Sequence, residues 1–164
     1  SQTSATSRST NGCFGRYVMD VRRAGPLDIS AIIALLMEMH KNTEIPVSPI
    51  SSEKLVAKIS EAIHRGIVFV AIDEKNKISG SIGGTIGADW WSEERHLSDM
   101  WFYVSEASRK TRVAYELVKN FISVAKDANV PVRLGHVFSG DIDRKDNFFK
   151  RLGLVKAGSL FVGT

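Results

Sequence analysis

The chain is 164 residues long, with 22 Lys plus Arg against 18 Asp plus Glu, a formal charge of +4, and 43% hydrophobic residues. These proportions exclude a wholly disordered chain and suffice for one domain with a buried core. Apolar runs such as Ile29 to Met37 fall far short of the roughly 20 residues a membrane-crossing helix needs, so no membrane partner is expected. Cys13 stands alone, which excludes an intramolecular disulfide and a cysteine-based zinc site and predicts a reducing, cytoplasmic setting. The first ten residues are mostly Ser and Thr and lack the apolar stretch of a secretory signal. The expected organisation is a flexible arm over residues 1–15 and a single domain over 16–164.

In chain order, Tyr17 to Arg23 reads as a strand broken by Gly25-Pro26. A helix follows over about Asp28 to His40, with Ile29, Ile32, Ile33, Leu36 and Met37 as its apolar stripe. Ser51 or Ser52 can cap a second helix running to Arg65, in which Leu55, Val56, Ile59, Ala62 and Ile63 share a face. Ile67 to Ile72 and Ile78 to about Ile86 predict a hairpin around the turn Asp73 to Asn76. Gly80, Gly83 and Gly84 in its second arm predict a bulge or a close approach to the backbone. Leu97 to Val104 is a fourth strand, and a long helix from about Lys110 to Ala128 buries Val113, Leu117, Phe121 and Val124. Val130 to Phe138, a short helix Asn147 to Leu152, and Val155 to Val162 complete the pattern as strand, helix and strand. Strands and helices in this order predict an α/β (α+β) domain: a mixed sheet of about six or seven strands with about four helices.

Charge is uneven along the chain. Residues 1–100 hold 11 basic and 12 acidic side chains, whereas residues 101–164 hold 11 and 6, so an anion would be met by the C-terminal part. The segment from Trp101 to Leu117 is a strand, a turn and the start of the longest helix. Unpaired amides and the positive dipole end at a helix start can hold a phosphate, and Arg109, Lys110 and Arg112 add three cations there. The competing reading is an ordinary helix start with solvated basic residues.

This segment resembles the acyl-coenzyme A motif of the GCN5-related N-acetyltransferase (GNAT) superfamily, in which a strand ending in Val leads into Arg/Gln-x-x-Gly-x-Gly/Ala. Val104 matches the strand end, Arg109 the leading Arg and Ala114 the final small residue, while Arg112 stands at the middle glycine. That middle Arg is similar to a pattern of phage-encoded members. Val21 to Asp28, Lys77 to Gly80 and Asn147 to Leu154 resemble further family segments, so the likeness spans most of residues 17–162. It implies the GNAT fold and acetyl-CoA as the cofactor. It also implies that pantetheine lies along Phe102, Tyr103 and Val104, and that the diphosphate meets the amides of Arg109, Lys110, Thr111, Arg112, Val113 and Ala114. The implied activity is transfer of an acetyl group to an amine, on a small molecule or a protein.

Direct transfer needs a neutral amine and a proton for the departing thiolate. The resemblance implies a Tyr as proton donor four residues before the glycine of the closing segment, and that position is Phe149, which cannot donate. The resemblance implies a carboxylate or water-bridged base at the start of the fourth strand, which makes Asp99 the candidate catalytic base, with a solvated strand end as the alternative. His96 beside it reads as a loop residue, His136 as a hydrogen-bonded sheet residue, and Tyr103 as sheet packing more than chemistry. Trp90, Trp91 and Trp101 offer indole faces that could border an amine pocket or pack locally. No phosphate-binding Gly-x-x-x-x-Gly-Lys loop, metal-ligand spacing or Gly-x-Ser-x-Gly is present. No metal is expected, and with no recognition-helix or RNA-binding signature no nucleic-acid partner either. Phe149 and Arg112 keep a second reading open: a catalytically inactive GNAT-fold binding protein or a phage virion-associated one. The last strand could pair across a homodimer edge.

Overall fold

A computed structural model describes residues 20–44, 48–136 and 141–163. The arm expected over 1–15, with Cys13, lies outside them, as do Tyr17 to Met19 of the first predicted strand and Val137 to Gly140. The elements are β1 (Asp20–Arg23), α1 (Ile29–Lys41), α2 (Ser52–Arg65), β2 (Ile67–Ile72), β3 (Ile78–Ala88), β4 (Arg95–Val104), α3 (Val113–Asp127), β5 (Val132–Arg133) and α4 (Ile142–Arg151). The strands form one sheet in the order β1-β2-β3-β4-β5, antiparallel throughout except for the parallel β4–β5 pair.

This is the predicted mixed α/β fold with four helices, but among the described residues the sheet has five strands, fewer than the six or seven expected. Among its described residues the expected strand Val130 to Phe138 keeps only Val132–Arg133 in the sheet. Pro131 has no N–H to donate, and the Gly135 N–H is donated to the Asp99 side chain and not to a neighbouring strand. The expected last strand, Val155 to Val162, joins no ladder, and Val155 and Phe161 are almost fully exposed. Helix α4 starts five residues earlier than predicted because the Asp141 carboxylate accepts the Arg144 N–H as an N-cap.

Two apolar layers cover the sheet. Ile32, Leu36, Ile59, Ala62, Val68, Val70 and Trp101 form the core under α1 and α2. On the opposite face Phe69, Ile82, Leu97, Val104, Leu117 and Phe121 pack under α3, with Phe102, Phe148 and Phe149 extending that layer to α4. In α1 the buried residues are Ile32, Leu35 and Leu36, whereas Met37 is nearly half exposed, so the stripe is rotated slightly from the predicted one.

The β3 glycines answer to packing. A Cβ on Gly83 would lie 2.2 Å from the Trp101 ring, and one on Gly84 2.1 Å from the Ser98 carbonyl oxygen. The close approach predicted at these positions therefore comes from the protein itself.

Candidate functional site

Strand β4 organises the site through a change of register. Gly84 pairs with Asp99 but Gly83 pairs with Trp101, so Met100 is an extra residue, a β-bulge. Side chains normally alternate between faces, and one inserted residue reverses the phase. Leu97 and Asp99 therefore lie on the α3 side before the bulge, and Phe102 and Val104 take that side after it, with Trp101 turned beneath α1 and α2. Beside the bulge, β5 pairs with β4 only at Leu97–Val132 and Ser98–Arg133. Past Ser98 the two strands part.

Asp99 sits at this parting, half-buried, its Oδ1 accepting the Gly135 N–H at 3.0 Å. Burial raises its pKa to about 6, against the lowering effect of the backbone donors. A carboxylate in that range can accept a proton near neutral pH. His96 pairs with Gly87 within β4, nearer the turn that carries Trp90 and Trp91. Those two indoles meet edge to face at 5.4 Å and are mostly exposed, whereas Trp101 is buried and donates its Nε1–H to Ser81 Oγ at 3.0 Å.

At the other end of β4 the chain passes through a short 3-10 turn, Glu106–Ser108, into α3. Helices α2 and α4 begin with side-chain caps from Ser51 and Asp141, whereas the N-caps of α1, Asp28, and of α3, Arg112, supply none. Thr111 Oγ1 reaches the Val113 N–H at 3.3 Å, and the next first-turn amides, of Ala114 and Tyr115, have no intrahelical acceptor. Arg112 has φ −81° and ψ 2°, so the place of the motif's middle glycine has ordinary right-handed backbone here and an L-residue occupies it without strain. Its guanidinium lies over the Tyr115 ring and on Glu116, three-quarters exposed.

Lys110 and Thr111 are exposed, while Val113 is buried against the face that Gly80 leaves open and Ala114 packs on the α3 core. Arg109 turns back along β4: it lies over the Tyr103 ring, donates to the Tyr103 hydroxyl at 3.2 Å and to the Val104 carbonyl at 3.4 Å, and pairs with Glu106. The Tyr103 hydroxyl donates to Glu38 Oε1 at 3.0 Å. Burial raises the Tyr103 pKa, with Asn42 opposing and Glu38 reinforcing. Phe102 is covered by Phe148 and Phe149, at ring distances of 6.4 and 6.3 Å.

Several participants were not singled out in the sequence. Lys145 of α4 has its pKa lowered by burial and by the like charge of Arg109, so a second cation approaches the β4–α3 turn. Glu38 and Asn42 reach Tyr103 across more than 60 residues of chain, a distance no local signal spans. His136 lies beyond β5 and not within a strand, and its hydrogen bond is to the Asp146 side chain.

Among the described residues no helix is long and apolar enough to cross a membrane. No curated protein sequence matches the chain. Solved structures resemble it in fold at low identity. A predicted acetyltransferase with acetyl-CoA from Clostridium acetobutylicum superposes with a TM-score of 0.70 at 15% identity, covering 89% of this chain and 96% of that one. An acetyltransferase from Trypanosoma brucei gives 0.66 at 16% identity, covering 89% and 99%. AAC(6')-Iy in complex with the bisubstrate analog CoA-S-monomethyl-acetylneamine gives 0.68 at 13% identity, covering 89% and 97%. The family model described as Acetyltransferase (GNAT) family matches residues 33–154, from α1 through α4 and so across the bulge, the parting strands and the uncapped helix start, and the chain belongs to that family.

Proposed function

We propose that the protein transfers an acetyl group from acetyl-CoA to an amine, on a small molecule or a protein, by direct attack. One observation carries this reading: β4 and β5 part beside a half-buried carboxylate, while the same strand runs on into a helix start that no N-cap side chain closes. Phe102, Tyr103 and Val104 would flank the pantetheine. The backbone from Arg109 to Ala114, with the side chains of Arg109, Lys110, Thr111 and Arg112, would hold the diphosphate. The residues fit such a ligand, because the turn needs no left-handed backbone and is basic. An acetyl thioester supplies an acyl group to a neutral amine and leaves a sulfur that needs a proton. Asp99 takes the proton that the attacking neutral amine gives up. A cytoplasmic setting, one domain over residues 16–164 and a homodimer joined along the C-terminal segment complete the proposal.

Calorimetry with acetyl-CoA tests the cradle. Arg109→Glu combined with Arg112→Glu is expected to weaken binding by at least about tenfold, since each exchange places a negative charge where a diphosphate must sit. Equal heats from wild type and variant would overturn it.

A second reading, an acyl-CoA-binding protein without catalysis, draws on the aromatic cover over Phe102 and on the engagement of Arg109 by Tyr103 and Glu106. Thiol release from acetyl-CoA over a panel of amines separates the two: release supports transfer, and binding without release supports the second.

A further inference from the structure

Of the two tyrosines among the described residues beyond the arm, neither faces the parting of β4 and β5. Tyr103 has its hydroxyl committed to Glu38, and Tyr115 lies on the exposed side of α3 with Arg112 and Lys119 over its ring. His136 directly follows Gly135, whose N–H binds Asp99. Its ring stacks on Phe149 at 5.7 Å and 13°, and its Nε2 meets Asp146 Oδ1 at 2.7 Å. Lys156 donates to the other oxygen, Oδ2, at 2.9 Å. Both members of the pair are mostly buried, with side chains 21% and 14% exposed.

We propose that His136, oriented by Asp146, is the proton donor to the sulfur that departs during acetyl transfer. The inference rests on the transfer reading above. A carboxylate on one ring nitrogen fixes the tautomer, steadies the imidazolium and leaves Nδ1 as the nitrogen that exchanges a proton. Lys156 first, and His136 after it, hold the Asp146 carboxyl below its usual range, so it stays ionised and does not take the ring proton. Flat stacking on Phe149 restrains the ring without competing for its proton.

In the step, the amine nitrogen bonds to the acetyl carbon as the bond from that carbon to sulfur breaks. Asp99 accepts the proton lost by the amine. His136 gives its Nδ1 proton to the sulfur and remains as the neutral Nε2–H form on Asp146. One proton is taken up and one delivered, and solvent resets both residues. Of the charged groups around this cluster, Asp146 from α4 bonds the ring directly, Lys156 from the C-terminal segment holds the other Asp146 oxygen, and Asp99 from β4 is held on the N–H of the preceding residue, Gly135.

The first test does not depend on turnover. Imidazole nitrogen NMR on the wild type should show His136 Nδ1 shifting when coenzyme A is added and remaining in place with desulfo-coenzyme A. The second uses turnover. His136→Gln should lower kcat by about 100-fold with little change in KM for acetyl-CoA. Asp146→Asn should lower kcat by less, again with little change in KM, and should weaken the His136 Nδ1 response to coenzyme A, which a merely structural tie between α4 and β5 would not do. Identical NMR responses to the two ligands, or a His136→Gln enzyme with the wild-type kcat, would overturn this proposal alone. A wild type that binds coenzyme A yet releases no thiol with any amine overturns the transfer reading and this donor with it.

Discussion

The two halves of β4 are adjacent in sequence and built differently. From Trp101 to Val104 the polar and apolar demands are met by side chains: Trp101 is buried with its N–H on Ser81, Tyr103 is bonded to Glu38, and Phe102 and Val104 pack toward α3 and α4. From Leu97 to Met100, Asp99 is half-buried with a backbone donor and no cationic partner in contact, and Met100 falls out of register and is exposed. A half-buried carboxylate without a countercharge costs stability that packing elsewhere must offset. The contrast teaches where in this strand the fold is optimised and where it keeps a carboxylate at a cost in stability.

The strongest way to break the packed half is Gly83→Ala. The added Cβ would sit 2.2 Å from the buried Trp101 ring, and displacing that indole also strains its hydrogen bond. A loss of about 3 kcal/mol in urea unfolding is expected, within the upper range for overpacking. A loss below about 1 kcal/mol would show that the Trp101 site is plastic.

In the half that holds the half-buried carboxylate, Asp99→Asn should divide the proposed function from stability. Acetyl transfer should fall by about 100-fold. The folded carboxyl titrates near 6 against 3.8 when unperturbed, so between those values the folded state retains a proton that the unfolded chain has released. Stability tied to that proton is complete below about pH 4 and lost as pH rises through 6. The Asn variant, which keeps an acceptor for Gly135, should thus be more stable than wild type by about 2 kcal/mol at pH 8, with the gain vanishing near pH 4. Melts at both pH values check it.

Phe148→Ala tests the boundary between the halves. Removing one of the two rings over Phe102 should cost about 1–2 kcal/mol of stability and raise acetyl-CoA affinity a few-fold, because less cover has to be moved aside. Weaker binding would mean that the ring itself is part of the ligand contact. The smallest effect is expected from Arg112→Gly: the backbone there needs no glycine, so affinity should drop by less than about threefold through loss of one exposed charge, read by calorimetry.

Much of the frame was legible in the residues. The spacing of Ile32 and Leu36, the cap at Ser51, the continuous run Ile67 to Ile72 and the apolar stripe Val113, Leu117 and Phe121 are local patterns, and each forms the predicted element. The segment that resembles the acyl-CoA motif was legible for the same reason, since a strand end, a basic turn and a helix start lie within 14 residues from Trp101 to Ala114. The C-terminal strand was misread because β-forming residues such as Leu160, Phe161 and Val162 make a strand only where an edge is there to pair with.

By itself the amino-acid order determined the helices, the hairpin and the basic turn, all of which depend on neighbours within a few residues. Tertiary structure alone decided that Met100 bulges, which turns Trp101 to one face and Phe102 to the other, and that His136, Asp146 and Lys156 meet beside Phe149. The physical reason is one of range. Helical and strand preferences are set by local sterics and periodicity, whereas a register shift and a side-chain cluster depend on contacts between elements that only packing brings together.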